Sequence, residues 1–322
     1  MQRLILIFFI ASELCYYLLI AQTGVVEYFS SNLFLIAPLP IGGVIGSLLV
    51  SYLKIENRNK ITLFLSIQLI MSFLYPNFNM ITLFILGFAV GSMAPLIINE
   101  IKKATLLELG LALSLSYVTG TILFNYEVNE RGIIAIILTT ITLVASRFLP
   151  INKPIEKSDQ VFPLFIMVLW VFLDSTLFES LSRDVTISIW RDGFTFQIAL
   201  FHVIGVFCAL FFKIEKNQKS LFILTLFALS YLFYFLREGY VLSIIYPFII
   251  SYYNVVILQT ITKKDFKTIT FYMIAIGWMA SGAGLFVALS NLILFVPIIL
   301  LIVIFKIMIS EYKPNNKEIK YV

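Results

Sequence analysis

The chain has 322 residues, of which 60% belong to the hydrophobic set and only 13% are charged, with a formal net charge of +5. Soluble domains sit nearer about 45–50% apolar and about 25% charged, so too few charges are present to coat a soluble globule of this length. A soluble enzyme, a disordered chain and a nucleic-acid-binding domain are excluded together, and a polytopic protein whose partner is the lipid bilayer remains. The two cysteines, Cys15 and Cys208, lie in apolar runs. With one histidine they make no disulfide framework and no metal-ligand spacing.

A spanning helix needs about 20 apolar residues, and twelve runs qualify. The first, Arg3–Gln22, lacks a small-residue cleavage pattern and reads as a span rather than a signal peptide; it carries Glu13, Tyr16 and Tyr17. The second, Asn32–Leu53, holds Pro38 and Pro40, which favour bends, and Gly42, Gly43 and Gly46, which allow close helix packing. Ile61–Tyr75 follows without a charge, then Met80–Ile98 with Pro95. Glu100, Lys102, Lys103 and Glu108 form a charged connection to Leu107–Phe124, and Gly132–Phe148 closes the first half with Arg147 at its end. The linker INKPIEKSDQV, Ile151–Val161, carries Pro154 and four charges.

The second half opens with Phe162–Leu181, which carries Asp174, Ser175 and, near its end, Glu179, read as a rim charge. Phe194–Phe212 contains His202, the only histidine. Leu221–Leu236 is uncharged up to Phe235. Tyr240–Ile261 is rich in polar aromatics and amides: Tyr246, Pro247, Ser251, Tyr252, Tyr253 and Asn254. Ile269–Leu289 has Gly277, Gly282 and Gly284, read as packing positions. Leu292–Ile309 is the last span, and 311–322 forms a tail. No glycine-rich loop has the context for phosphate binding, and no cofactor is expected.

Orientation checks the count. Lys and Arg accumulate in cytoplasmic loops. With the N-terminus inside, twelve spans put 19 basic residues on one side and only Arg131, Arg183, Arg191 and Arg237 on the other, together the chain's 23. Both termini are then cytoplasmic.

The halves also resemble one another. Ile45–Lys60, IGSLLVSYLKIENRNK, matches Ile204–Lys219, IGVFCALFFKIEKNQK, at an offset of 159 residues, with identities that include Gly46/Gly205, Lys54/Lys213 and Lys60/Lys219. Asn99–Lys103 matches Gln259–Lys264, and Val118–Phe124 matches Ala280–Phe286 at an offset of 162. An offset of six spans is even, so both copies insert the same way up. That parallel repeat separates the chain from ten-span architectures with inverted five-helix halves.

On span count, topology and duplication the chain resembles the major facilitator superfamily over its whole length. The family's loop motif after helix two, G-x-L-a-D-r-x-G-R-r, is matched at Gly46 and Leu48, with basic residues at Lys54, Arg58 and Lys60. Val50 stands at the Asp position, and the second-half equivalent keeps Gly205 and has Ala209 there. The helix-four Arg and the helix-five G-x-x-x-G-P of drug antiporters are absent. Glu13-Leu-Cys-Tyr16-Tyr17 is faintly similar to the E-x-x-E-R-F-x-Y-Y of peptide transporters, without its second Glu and its Arg. The resemblance implies an all-α integral membrane fold of 12 transmembrane helices in two parallel-repeat six-helix bundles, 1–150 and 162–310, joined by a linker at 151–161 and followed by a cytoplasmic tail at 311–322. It further implies that helices one, four, seven and ten line a central cavity and that helices three, six, nine and twelve face lipid.

Within that frame the buried acids stand out. At 1.5 Å per residue, Glu13 lies roughly 15 Å into helix one and Asp174 roughly 18 Å into helix seven. These helices are copies of one another, with the two acids offset by 161 residues. An ionised carboxylate at that depth costs about 2.5–3.5 kcal/mol on insertion scales, and a group so placed suits binding a proton or a cation. Interhelical hydrogen bonding is the competing role for each. His202 joins the coupling residues because histidine titrates nearest neutral pH, with packing as its competing role. Tyr16, Tyr17, Tyr246, Tyr252 and Asn254 are the expected substrate contacts. No Lys or Arg lies at mid-depth. This argues against organic phosphates, carboxylates and zwitterionic peptides, and for a neutral solute, an organic cation or an amphiphile. The expected function is a non-enzymatic secondary transporter in the plasma (or cell inner) membrane. It would work as a monomer by alternating access, coupled to a proton or cation. The alternatives are a ten-to-twelve-span membrane transferase and a non-transporting receptor or accessory subunit of the same fold.

Overall fold

The computed structural model describes residues 2–29, 33–150, 160–184, 186–191 and 193–312. These residues form helices throughout, as they must where lipid offers no partner for backbone N–H and C=O groups. In chain order the rods are α1 (Gln2–Tyr28), α2 (Phe34–Val50), α3 (Asn57–Phe73), α4 (Met80–Ile101), α5 (Leu106–Leu123), α6 (Val128–Ser146), α7 (Leu164–Arg183), α8 (Thr195–Phe211), α9 (Lys216–Phe235), α10 (Gly239–Ile261), α11 (Phe266–Leu289) and α12 (Ile293–Ile307). Eight of them, all but α2, α3, α8 and α12, are long and apolar enough to cross a membrane. Most of the expected linker, 151–159, and the tail from 313 lie outside the described residues.

Side chains set several starts. Asn79 and Thr82 cap α4 reciprocally, Thr105 and Glu108 do the same for α5, and Asp265 accepts from the Thr268 N–H at the start of α11. Each pairing satisfies donors that the first helical turn leaves free. Two rods widen into π-helical turns, α1 over Tyr17–Gly24 and α11 over Met273–Ala280. Such turns cluster at functional sites, and both of these border the central cavity described below.

α3 and α9 begin earlier than the apolar pattern suggests, at Asn57 and Lys216. Lys60 and Lys219, read as loop residues, therefore lie inside helices and are buried. Lys60 explains why: its Nζ donates to the Val50 carbonyl at 3.0 Å, satisfying the end of α2.

The packing repeats at a shift of six rods. α2 packs on α4 and α8 on α10; α3 on α4 and α9 on α10; α3 on α6 and α9 on α12; α1 on α5 and α7 on α11. Contact between the halves runs through α5 with α8 and through α2 with α11, two pairs that the same shift interchanges. Glycine makes the tightest crossings possible. A Cβ on Gly46 would stand 2.2 Å from the Phe88 carbonyl oxygen of α4, and one on Gly205 would stand 2.4 Å from the Phe248 carbonyl oxygen of α10. The two glycines are matched positions of the duplication. Gly284 similarly meets α7 at Ser175, but Gly277 and Gly282 do not pack as expected. The nearest atom to a Gly277 Cβ is 3.8 Å away on its own helix, and Gly282 has nothing within 4 Å. Both border cavity space instead.

Candidate substrate cavity

A central cavity of about 270 Å³ lies between the halves, lined by α1, α4 and α5 from the first and α7, α8, α10 and α11 from the second. Helical phase decides which residues face it. On α1 they are Glu13, Leu14, Tyr17, Leu18 and Gln22; on α7 Val171, Asp174, Ser175 and Phe178; on α10 Ile250, Tyr253, Asn254, Ile257, Leu258 and Ile261. Each set follows the three-and-four spacing of one helix face.

Glu13 is 1% exposed. Gln68 of α3 donates Nε2 to its Oε2 at 3.1 Å, and the same amide lies 3.4 Å from Thr139 Oγ1 of α6. Tyr16 and Ser72 hydroxyls pair at 3.1 Å beside them. Asp174 is partly buried, and among the described residues its side-chain donors are neutral. Tyr246 Oη donates to its Oδ1 at 2.7 Å and Tyr253 Oη to its Oδ2 at 2.5 Å. Tyr231 of α9 braces the neighbouring turn through the Leu173 carbonyl at 2.8 Å. Each acid is thus tied within its own half, Glu13 to the outer helix α3 and Asp174 to the cavity helix α10.

A third cluster joins the halves. The Tyr117 ring of α5 stacks on the His202 ring of α8 with centroids 4.4 Å apart and planes 4° from parallel. Asn254 Nδ2 donates to Tyr117 Oη at 2.9 Å, and His202 Nδ1 lies 2.6 Å from Ser251 Oγ. His202, 4% exposed, is held by a ring on one side and a hydroxyl on the other.

Of the expected substrate contacts, Tyr17 and Asn254 line the cavity and the other three do not. Tyr16 is one step out of phase and faces Ser72. Tyr252 is likewise rotated by about 100° from the lining face and packs against Phe222 and Phe248 at 5.3 and 5.9 Å. Tyr246 sits behind Asp174 as its hydrogen-bond donor. The sequence reading missed the lining residues Tyr117, Trp190, Tyr253 and Trp278. Tyr253 was recoverable from phase, since it precedes Asn254 on the lining face. Trp190 was not, because it lies in the α7–α8 connection; it reaches Phe124 of the first half at 5.8 Å and Phe178 at 4.9 Å. Glu179 is 3% exposed rather than a rim charge, and borders a side cavity of about 70 Å³ with Tyr17, Trp278 and Ser281.

The four arginines expected outside are all ion-paired. Arg183 pairs with Glu179, Arg237 with Asp184, and both Arg131 and Arg191 with Glu27. Arg131 is 1% exposed and also donates to the Phe124 and Tyr126 carbonyls at 3.0 and 3.1 Å. Glu27–Arg191 ties the two halves together at this end. Burial would raise the Asp184 carboxyl, but hydrogen bonds from Thr186 and Arg237 outweigh it and hold the group below the usual carboxylate range.

The fold is that of solved transporters. The chain is similar to the human organic anion transporter MFSD10 (TETRAN) with a TM-score of 0.63 and 12% identity, over 95% of this chain and 98% of that one. It is similar to the major facilitator superfamily transporter FucP in its outward conformation with a TM-score of 0.59 and 12% identity, over 92% and 96% of the two chains. A further structure of FucP, the E. coli fucose:proton symporter, aligns with a TM-score of 0.54 and 14% identity over 95% and 96%. No known family profile and no curated protein sequence matches the chain. The likeness is one of fold: the chain has the major facilitator architecture and is a multi-pass membrane protein.

Proposed function

We propose that the chain is a secondary active transporter that moves a small neutral or cationic organic solute by alternating access, coupled to a proton or cation. The observation that carries this reading is the central cavity between the two halves, into which each half presents one acid, Glu13 and Asp174. Two six-helix bundles, 1–150 and 162–310, would rock about it in the plasma membrane, with twelve spans, both termini cytoplasmic and one chain as the working unit. The six-rod repeat of helix contacts and the clustering of Arg131, Arg183, Arg191 and Arg237 with acids at one end support that topology.

Among its structural neighbours, the fucose:proton symporter offers the nearer precedent. An organic anion, as taken by MFSD10, would find no Lys or Arg among the cavity-lining residues. The fold neighbours are transporters rather than enzymes, which weighs against a membrane transferase. The test is flux in proteoliposomes under an imposed pH gradient. Gradient-driven uptake or efflux that loses its pH dependence in Glu13→Gln and Asp174→Asn is expected. Unchanged dependence in both variants removes the coupling assignment, and no flux of any solute favours a receptor or accessory subunit.

A further inference from the structure

We propose that the cavity takes a monovalent organic cation with an apolar body, and that Asp174, not Glu13, is the acid that holds its charged nitrogen. This rests on the cavity assigned above, but its test is binding rather than transport.

The first argument is charge. The lining includes Glu13 and Asp174 and no Lys or Arg. Among the described residues Asp174 is met by two tyrosine hydroxyls and by no cation. A buried carboxylate without a counter-charge is costly, and a cationic ligand would remove that cost.

The second argument is the supply of hydrogen bonds. Several polar lining groups already bond within the protein: Thr121 with the Tyr117 carbonyl, Ser175 with the Ser281 carbonyl, Asn254 with Tyr117 Oη, and His202 with Ser251. A polyol would bury a row of hydroxyls with few partners, whereas an ammonium with hydrocarbon substituents needs one acid and an apolar wall. That wall is present. Tyr17 and Trp278 meet edge to face across the halves with centroids 6.5 Å apart, and Trp190 and Phe178 continue it. Aromatic faces attract cations, tryptophan most strongly.

The third argument separates the two acids. Glu13 is 1% exposed and held from behind by Gln68. Asp174 is less fully enclosed than Glu13 and also lines the cavity.

The experiment uses the purified full chain in detergent and radiolabelled benzyltrimethylammonium in equilibrium dialysis, with unlabelled fucose and benzoate as competitors. Saturable binding of the cation, undisplaced by equal fucose or benzoate, is expected. Asp174→Asn should weaken binding by roughly tenfold or more and by clearly more than Glu13→Gln does, while Asp174→Glu, which keeps the charge, should recover part of the loss. A parent-like, monodisperse size-exclusion profile of Asp174→Asn guards against reading a misfolded variant as a lost anchor. The proposal is overturned by failure of the cation to bind, by benzoate or fucose displacing it, or by Asp174→Asn binding as the parent does. Cation binding without flux in liposomes would remove the transport reading alone; fucose or benzoate flux without cation binding would remove this one alone.

Discussion

Gln68 gives its amide nitrogen to Glu13 and keeps a buried amide oxygen that meets no partner among the described residues. Replacing Gln68 with Leu strips Glu13 of its one side-chain donor among the described residues. Because a buried acceptor left without its partner costs about 1–3 kcal/mol, the variant should melt several degrees below the parent in detergent. Tyr253→Phe removes the 2.5 Å donor to Asp174 and should destabilise by a similar amount. Tyr252→Phe should be near neutral, since the Tyr252 hydroxyl is buried without a partner among the described residues; equal melting temperatures for the two tyrosine variants would contradict the phase assigned to α10. Outside the spans, Asp184 supplies a pH dependence. Its carboxyl is held low by Thr186 and Arg237 against the upward push of burial. The tie is therefore in place above the ordinary carboxylate value and is lost as pH falls through the lower folded-state value. The fluorescence of Trp190, in the same connection, should stay flat on acidification until below about pH 4, and Arg237→Gln should move the change to higher pH.

At the scale of helices, glycine separates a seam from a void. Gly46→Ala would press a methyl into the Phe88 carbonyl, a backbone group that cannot step aside, whereas Gly282→Ala meets open space. Overpacking costs typically about 1–3 kcal/mol, so the first variant should lose thermal stability measured in detergent and the second should not. The same contrast shows what could be read from the residues alone. Apolar runs marked where the helical rods of the described residues lie, and the Gly46/Gly205 match marked the equivalent crossings of α2 with α4 and α8 with α10. The mid-depth acids fell on the cavity because a charge in lipid survives only beside a polar space. Rod starts at Asn57 and Lys216 escaped because buried Lys60 and Lys219 look like loop residues until a carbonyl partner is known. Of the four tyrosines named from the sequence only Tyr17 lines the cavity: composition marks α10 as polar, but only rotational phase distinguishes Tyr253 from Tyr252. Trp190 had no periodicity to betray it, since a connection between helices carries none.

For the molecule as a whole, the two ends of the cavity are tied differently. At one end Glu27 pairs with Arg191, Asn125 Nδ2 reaches Thr195 Oγ1 at 3.4 Å, and Trp190 covers Phe124. At the other, Lys102 Nζ donates to the Lys264 carbonyl at 2.6 Å, and the Lys60 ammonium lies 5.5 Å from the centre of the Phe266 ring. Under the proposed alternating access, one set would part while the other holds. Arg191→Gln should bias the first end open. With Cys15 and Cys208 replaced by serine and Ser281→Cys as a reporter, a membrane-impermeant maleimide should label this variant several-fold faster than its parent; equal rates would mean the tie does not restrain that end. Gly43 bears on the same space from further off. Its missing side chain is where the Trp278 indole lies: a Cβ there would come within 2.1 Å of the ring. A single methyl on α2, a helix with no residue among those lining the main cavity, would act as a wedge driving a tryptophan inward. Solute bulk, not charge, would then be what Gly43→Ala screens, so the mesh of this sieve is set at its frame.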